Sequence, residues 1–363
     1  MSMFTLAFIK SRLHYITALL PKLTLFKIYN ALIALISFLL KRDRSCTCPP
    51  LMSISLTLKC NYACIMCQKS SVHDNPYKHP ESIDYDALSE FLKENAKYLS
   101  LVRLHGGEPL FYEKISNLID LLNELKIPFS IISNGYLLTP EISKKLVNNC
   151  IGLSLSIDAV DPEIYKKMRR GGDIETITSN IRYLNELKRK TGAKIPTLNV
   201  SMASFSFNMA ELPALVKYCH ENGIESLSAC EGWFYDTPDV REEHLVNNHT
   251  ELVRKAIAEA QPLAKELGLI LRLRYPCLDS KDKVAEKPKK RNKLKNCFNL
   301  YVSSFIHPNL DVIVCCDAKE TFGNLRDNSF REIWNGPKYI EARKKLRNNK
   351  VPAACKGCRN LYT

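Results

Sequence analysis

Between residue 53 and about residue 275 the chain repeats one pattern, a short apolar run followed by a stretch of helical periodicity. Strand-like runs fall at 53–58, 100–105, 128–133, 152–157, 197–203 and 225–231. Between them apolar residues recur at helical spacing. Examples are Leu88, Phe91, Leu92 and Leu99, then Ile115, Leu118, Ile119, Leu122 and Leu125, then Ile177, Ile181, Leu184 and Leu187, then Leu212, Leu215, Val216 and Cys219. That spacing lines one face of a helix, whereas the short runs suit buried strands. Successive strand–helix units build a parallel sheet through right-handed crossovers. Six such units would form a partial (β/α)6 parallel barrel, an α/β fold. In parallel barrels the chemistry gathers at the C-terminal ends of the strands.

The segment after the first strand is the richest in chemistry. Cys60, Cys64 and Cys67 place three thiols within the run Cys60-Asn61-Tyr62-Ala63-Cys64-Ile65-Met66-Cys67. Thiolates are soft ligands that favour zinc, copper(I) or iron–sulfur clusters. A structural zinc closes with four ligands, and here the fourth would come from Cys46, Cys48 or His73. A four-iron cube held by three cysteines instead leaves one iron open to a substrate or cofactor. A second set of cysteines lies near the C-terminus: Cys297, Cys315 with Cys316 beside it, then Cys355 and Cys358. Four thiolates close a zinc site or an iron–sulfur cluster equally well.

Composition narrows the setting. A chain of 363 residues suggests about two or three domains. At 45% hydrophobic and 25% charged it has the make-up of a soluble globular protein with a large core. Its 14 cysteines cluster instead of spreading as a disulfide framework, and no secretory signal precedes them. They therefore read as reduced metal ligands in a cytoplasmic, low-oxygen setting. The formal net charge of +14 fits solvated lysines or an acidic partner, whether membrane, nucleic acid, nucleotide or peptide.

Two zones concentrate that charge. Lys281 to Lys295 holds eight Lys/Arg against Asp282 and Glu286 and reads as an exposed linker. The first 45 residues hold seven Lys/Arg and one Asp around a 13-residue, mostly apolar run, Ile28 to Leu40, that ends in Lys41-Arg42-Asp43-Arg44. A membrane-spanning helix needs about 20 apolar residues, so this run is short for a span. A true span stays open beside two other readings of a helix here. It docks on the protein's own body or another subunit, or it lies on the inner membrane surface as a basic amphipathic helix, a peripheral contact through residues 1–45.

The spacing Cys60-x3-Cys64-x2-Cys67, directly after Ser53-Ile54-Ser55-Leu56-Thr57-Leu58, resembles the signature of the radical S-adenosylmethionine (SAM) superfamily. The resemblance implies a [4Fe–4S] cluster on Cys60, Cys64 and Cys67 whose open iron is chelated by the SAM amino and carboxylate groups. Gly106-Gly107-Glu108-Pro109 follows the second strand. Read alone, it is a turn whose glycines permit close approach and whose carboxylate can accept from an ammonium group. It is similar to the family's GGEP motif, which holds the SAM amino group. Ser133-Asn134-Gly135 resembles the TNG segment, with Ser for Thr. Ser156 and Asp158, ending the fourth strand, resemble positions that face the SAM ribose and carboxylate. Arg169 is similarly placed to an arginine that pairs with the SAM carboxylate, as a guanidinium fork favours.

The C-terminal cysteines enclose Ser303-Ser304-Phe305-Ile306-His307-Pro308-Asn309-Leu310-Asp311-Val312, Gly323-Asn324-Leu325 and Phe330-Arg331-Glu332-Ile333-Trp334-Asn335. This looks like the SPASM/twitch extension of radical SAM enzymes, a small α+β cluster domain. Leu310 stands where that family usually has glycine. The later cysteines of a full SPASM domain, which binds two auxiliary clusters, have no counterpart before Thr363. The resemblance therefore implies two [4Fe–4S] clusters in all. One binds SAM, and one auxiliary cluster is held by Cys297, Cys315, Cys355 and Cys358, with Cys316 a bystander. The expected order is a helical basic leader at 1–50, the barrel at 51–275, the basic linker at 276–296 and the cluster domain at 297–363.

That chemistry splits SAM to a 5′-deoxyadenosyl radical, which takes hydrogen from an unactivated C–H. An auxiliary cluster that accepts a second electron makes the outcome an oxidation, for example of a sugar or aminocyclitol-like small molecule. Modification of a ribosomally made peptide is the alternative. Epimerisation would need a hydrogen donor, and Cys230, at the end of the sixth strand, is the candidate; a buried, inert cysteine is the commoner fate. Cys150, Cys219 and Cys277 are less well placed. The implied partners are that substrate and an electron donor such as flavodoxin or ferredoxin, with no specific nucleic acid. A non-catalytic iron–sulfur or zinc protein that binds membrane or nucleic acid is the competing class. A binding module needs neither the GGEP turn nor an open three-cysteine site.

Overall fold

All six expected strands form, and among the described residues there are six more. In this computed structural model, which describes residues 17–67, 81–232, 237, 239–278, 297–316, 318, 320–356, 358 and 361, the strands are β1 (Leu51–Ser55), β2 (Ala63–Cys64), β3 (Leu101–His105), β4 (Phe129–Ser133), β5 (Cys150–Ser156), β6 (Arg169–Arg170), β7 (Thr197–Ser204), β8 (Ser226–Glu231), β9 (Ile270–Arg274), β10 (Ser303–Ile306), β11 (Asp311–Ile313) and β12 (Gly323–Asn324). The helices are α1 (Leu25–Leu39), α2 (Tyr85–Asn95), α3 (Ile115–Glu124), α4 (Pro140–Leu146), α5 (Pro162–Met168), α6 (Ile174–Thr191), α7 (Leu212–Glu221), α8 (Thr250–Glu266), α9 (Asn299–Val302), α10 (Phe330–Trp334) and α11 (Pro337–Arg347). The Lys281–Lys295 linker lies outside the described residues.

Local chemistry sets the helix starts. Asp84 accepts from the Ala87 N–H at 2.8 Å to cap α2. Asp161 accepts from Glu163 and Ile164 ahead of α5, with Pro162 in the first turn. Asp173 caps α6, and Gly192 ends it with φ 67°. Each carboxylate answers orphan N–H groups at a positive helix end, and glycine takes the left-handed residue that stops the helix.

The chain forms two compact units, each made of several stretches. One comprises residues 21–59, 79–130 and 284–363. In it β1 pairs in parallel with β3, Leu51 opposite Leu101, and in parallel with β10, Leu51 opposite Ser303. β10 continues antiparallel to β11, and β11 to β12. Ile54, Leu56, Leu88, Leu92, Leu104, Leu118 and Leu122 are fully buried in this unit. The C-terminal cysteine region is thus joined by strand pairing to the first strand of the chain. Arg343 is buried too, its guanidinium 4.5 Å from the Trp334 ring and 5.2 Å from the Tyr339 ring, and it donates to the carbonyls of Leu300 and Trp334.

The other unit comprises residues 1–20, 60–78 and 131–283. β5, β7, β8 and β9 follow one another in parallel, with Ser156 opposite Ser201, Ser201 opposite Ser228, and Ser228 opposite Arg272. Leu153, Leu155, Val200, Met202, Leu215 and Leu227 are buried. The strand residues among these share one face of the sheet, while Ser154, Ser156, Asn199, Ser201 and Ser228 alternate with them on the other. A short antiparallel ladder, β2 with β6, holds the cysteine loop.

Candidate active site

The cysteine loop is pinned from several sides. Cys64 sits in β2 directly opposite Arg169 of β6. The Ile65 N–H donates to the Met168 carbonyl at 3.0 Å, and the Thr237 hydroxyl donates to the Ile65 carbonyl at 2.7 Å. The Tyr62 N–H donates to the Cys60 sulfur at 3.4 Å. Arg169 Nη1 lies 3.7 Å from Cys64 Sγ, while its Nε donates to Asp158 Oδ2 at 2.6 Å. Asp158 is fully buried, and its Oδ1 accepts from the Ala203 N–H at 2.8 Å. Burial opposes the charge on Arg169, but Asp158 and then Cys64 outweigh it and hold the guanidinium protonated. Burial pushes the Cys64 thiol up to about 11; Arg169 pulls it down, and Asp158, Cys67 and Cys60 push it up. The three thiols therefore lie within electrostatic reach of one another.

Asn134 is tied to the same loop. Its Nδ2 donates to Asn61 Oδ1 at 2.8 Å, and its Oδ1 accepts from the Tyr136 N–H. Ser133 Oγ accepts from the Gly135 N–H at 2.9 Å. Ser156 is half-buried at the end of β5. Among the described residues Asn61 Nδ2 is buried with no hydrogen-bond partner. A buried donor without an acceptor is costly, and in a loop that carries three thiols it calls for an acceptor-rich group. A sulfide-bearing iron–sulfur cluster meets that description. No three His, Cys, Asp or Glu among the described residues come together as ligands of a single metal ion. A four-iron cube does not need such a grouping, since it takes each thiolate on a different iron. His73 lies outside the described residues.

The Gly106–Pro109 turn belongs to the other unit, where it rests on the strand end that runs into the cysteine loop. The Gly107 N–H donates to the Thr57 carbonyl at 2.6 Å, and the Glu108 N–H donates to the Lys59 carbonyl at 2.9 Å. Gly106 has φ 140°, and a Cβ there would strike the Thr57 carbonyl oxygen. A Cβ on Gly107 would strike the carbonyl oxygens of Leu58 and Lys59. Glycine is needed for contact at both positions. Glu108 is buried, and its Oε1 accepts from the Leu110 N–H at 3.1 Å, capping the turn that Pro109 starts.

Among the C-terminal cysteines, burial pushes Cys355 up to about 12, with Cys297 and Cys358 adding to it. Burial raises Cys297 as well, the N–H groups of Leu300 and Asn299 pull it down, and Cys358 raises it. These three thiols act on one another electrostatically. Cys315 is half-buried and acts electrostatically on Tyr339, and Cys316 is exposed. Cys230 lies on β8 opposite Ala203 on one side and Arg274 on the other, its thiol 3.8 Å from the Met202 carbonyl. Cys150 and Cys219 are buried, with burial raising both thiols.

Asn61 and the set Asn199–Arg272 carry no motif that sequence reading could find. Asn199 Oδ1 accepts from Ser226, Ser228 and Arg272 at 2.9, 3.0 and 3.2 Å, and Asn199 Nδ2 donates to Ser154 Oγ at 3.0 Å. The residues are scattered along the chain, and only the strand register brings them together. Polar residues recurring on strands that are otherwise apolar were the one available sign.

A profile of the radical SAM superfamily matches residues 54–219, and one of the SPASM iron–sulfur cluster-binding domain matches residues 297–359. A probable GTP 3′,8-cyclase of Methanocaldococcus jannaschii is 28% identical over 205 residues, covering 53% of this chain and 65% of that protein. The chain thus spans slightly less than two thirds of that relative's length. The tungsten-containing aldehyde ferredoxin oxidoreductase cofactor-modifying protein of Pyrococcus furiosus is 24% identical over 327 residues, covering 84% of this chain and 86% of that protein. The structure of Streptococcus suis SuiB bound to S-adenosylmethionine matches with a TM-score of 0.62 at 17% identity, over 81% of this chain and 68% of SuiB. SuiB has also been solved with its precursor peptide SuiA. The mostly parallel α/β architecture is shared with SuiB. This chain carries a radical SAM domain at 54–219 followed by a C-terminal SPASM iron–sulfur cluster-binding domain at 297–359, and those domains take S-adenosylmethionine and [4Fe–4S] clusters as cofactors.

Proposed function

We propose that this enzyme oxidises or epimerises a small polar substrate of sugar or aminocyclitol type that carries an acidic group. The observation behind this reading is the polar network on β5, β7, β8 and β9. Arg272 Nη1 reaches both Asn199 Oδ1 and Ser228 Oγ, the latter at 3.1 Å. Arg274 lies two residues on along β9. Among the described residues neither arginine forms an ion pair. Hydroxyls, an amide and two guanidinium groups suit a hydroxylated, anionic molecule, since the guanidinium fork matches a carboxylate or phosphate.

In this reading Cys60, Cys64 and Cys67 hold the SAM-binding cluster, and Cys297, Cys315, Cys355 and Cys358 hold one auxiliary cluster. When bound, the reduced cluster and SAM supply a 5′-deoxyadenosyl radical, which takes a hydrogen atom from the substrate. Asp158 would hold Arg169 for the SAM carboxylate. Glu108 would accept from the SAM ammonium, with Gly106, Gly107 and Pro109 shaping the turn. Ser133, Asn134 and Ser156 would help hold the cofactor. Burial keeps the Cys230 thiol protonated, so it holds the hydrogen atom that epimerisation requires. A flavodoxin or ferredoxin delivers the electrons.

Peptide modification is the second reading, supported by the fold shared with SuiB, which has been solved with a peptide bound. Release of 5′-deoxyadenosine by the reduced, reconstituted enzyme separates the two. Phosphorylated or carboxylated sugars should raise release above the substrate-free rate, and Arg272→Ala should raise KM for them. Stimulation by peptides alone would replace the first reading with the second.

A further inference from the structure

Helix α1 turns its polar side chains inward. Lys27 and Asn30 are each 2% exposed, and Ala34 and Ser37 are fully buried. On the opposite face Leu25 is 87% exposed, Tyr29 60%, Leu32 53%, Ile36 43% and Leu39 64%. A surface helix ordinarily buries its apolar stripe. Here polar contacts fix the reversed orientation. Asn30 Nδ2 donates to the carbonyls of Cys48 and Tyr98, both at 3.0 Å, and Lys27 Nζ donates to the Lys126 carbonyl at 2.6 Å. The helix therefore docks on its own unit and still presents a full apolar face. Phe298, 47% exposed and 5.2 Å from the Phe38 ring, extends that face.

Charge selects the occupant. Lys22 stands exposed before α1, and Arg42 and Arg44 stand exposed after it. From residue 17 to residue 42 there is no Asp or Glu, and the first acid, Asp43, is taken by Arg347 at 2.8 Å. Two copies packed through this face would bring cationic ends together in either orientation. An anionic lipid surface offers acyl chains for the leucines, headgroup phosphates for the arginines and an interfacial layer for Tyr29. At 15 residues α1 is about 22 Å long, short of the ~30 Å hydrocarbon core. No described helix is long and apolar enough to cross a membrane. We infer that α1 is a peripheral membrane anchor that lies flat on an anionic leaflet with its Leu25–Leu39 face in the acyl boundary. This stands apart from the choice of substrate.

The test is flotation of the full-length, reconstituted protein with vesicles of phosphatidylcholine alone, or with about a third phosphatidylglycerol. Wild type should float with the anionic vesicles and much less with the neutral ones. Leu32→Glu/Leu39→Glu should weaken partition at least ~10-fold by putting charge in the apolar layer. Arg42→Gln/Arg44→Gln should weaken it about 30-fold, at ~1 kcal/mol per lost cation near the surface. Both variants should keep wild-type melting and SAM cleavage, because the altered side chains are exposed. Wild-type protein that stays unbound with anionic vesicles would overturn the inference, as would variants that bind like wild type. Sedimentation showing a wild-type dimer that Leu32→Glu/Leu39→Glu breaks, with no vesicle binding, would place a second copy on this face instead.

Discussion

Arg169 faces Cys64 across a two-residue antiparallel ladder, with its Nη1 3.7 Å from the Cys64 sulfur and its Nε 2.6 Å from the buried Asp158 carboxylate. One cation is thereby shared between a thiol of the loop and a carboxylate from the end of β5. Such a cation favours the thiolate that a metal needs. It also couples the loop to the end of β5.

Removing the carboxylate should therefore be costly. Asp158→Ala leaves the Arg169 guanidinium, 14% exposed, without its counter-charge. Stranding one member of a buried pair costs about 3–5 kcal/mol. Chemical denaturation should show a loss of that order, and SAM affinity should fall with it. A change below about 1 kcal/mol would mean that Asp158 does not hold Arg169.

A second prediction concerns pH. Burial, with Arg103 and His307 adding to it, lowers His105 from 6.5 to about 3. Among the described residues its Nε2 is buried without a hydrogen-bond partner, and the ring lies 4.6 Å from Phe305. The unfolded chain binds this proton below about pH 6.5, while the folded chain stays neutral down to about pH 3. The stabilising difference is complete above the upper value and is lost as pH falls, at about 1.4 kcal/mol per unit. Between pH 6.5 and 5, His105→Gln should lose about 2 kcal/mol less than wild type in urea denaturation. Parallel losses in the two proteins would remove His105 from the account.

Leu310 has φ 69° where the family usually has glycine, yet its side chain is 1% exposed. The left-handed backbone costs a non-glycine residue about 1–2 kcal/mol. Deleting a buried leucine side chain costs about 2–5 kcal/mol. Leu310→Gly should therefore destabilise the protein, by about 1–3 kcal/mol. Stabilisation in that variant would show that backbone strain outweighs packing at this turn.

What the sequence revealed and what it hid divide along physical lines. β1, β3, β4, β5, β7 and β8 were legible because short runs, apolar or alternating apolar with polar, fall between segments of helical period. The cysteine loop was legible because its ligands are close in sequence. The parallel pairing of β1 with β10 was not, since it joins residues 51–54 to residues 303–306. That pairing also ties the C-terminal cysteine region into the unit that begins at residue 21. The apolar run at Ile28–Leu40 announced a helix, but not which side faces the body; Lys27 and Asn30 decide that through partners distant in sequence. The Asp158 carboxylate is similar. Its position suggested a ligand contact, while its oxygens bind Arg169 and the Ala203 N–H.

The most direct measurement is anaerobic reconstitution followed by reduction, with iron and 5′-deoxyadenosine quantified in the same sample. Wild type should hold about eight irons, four per cluster, and should release 5′-deoxyadenosine from SAM. Cys60→Ala/Cys64→Ala/Cys67→Ala should keep about half the iron, on the C-terminal cysteines, and release none. Full iron content with continued 5′-deoxyadenosine release in the triple variant, or stoichiometric zinc in place of iron in the wild type, would contradict the assignment of this loop.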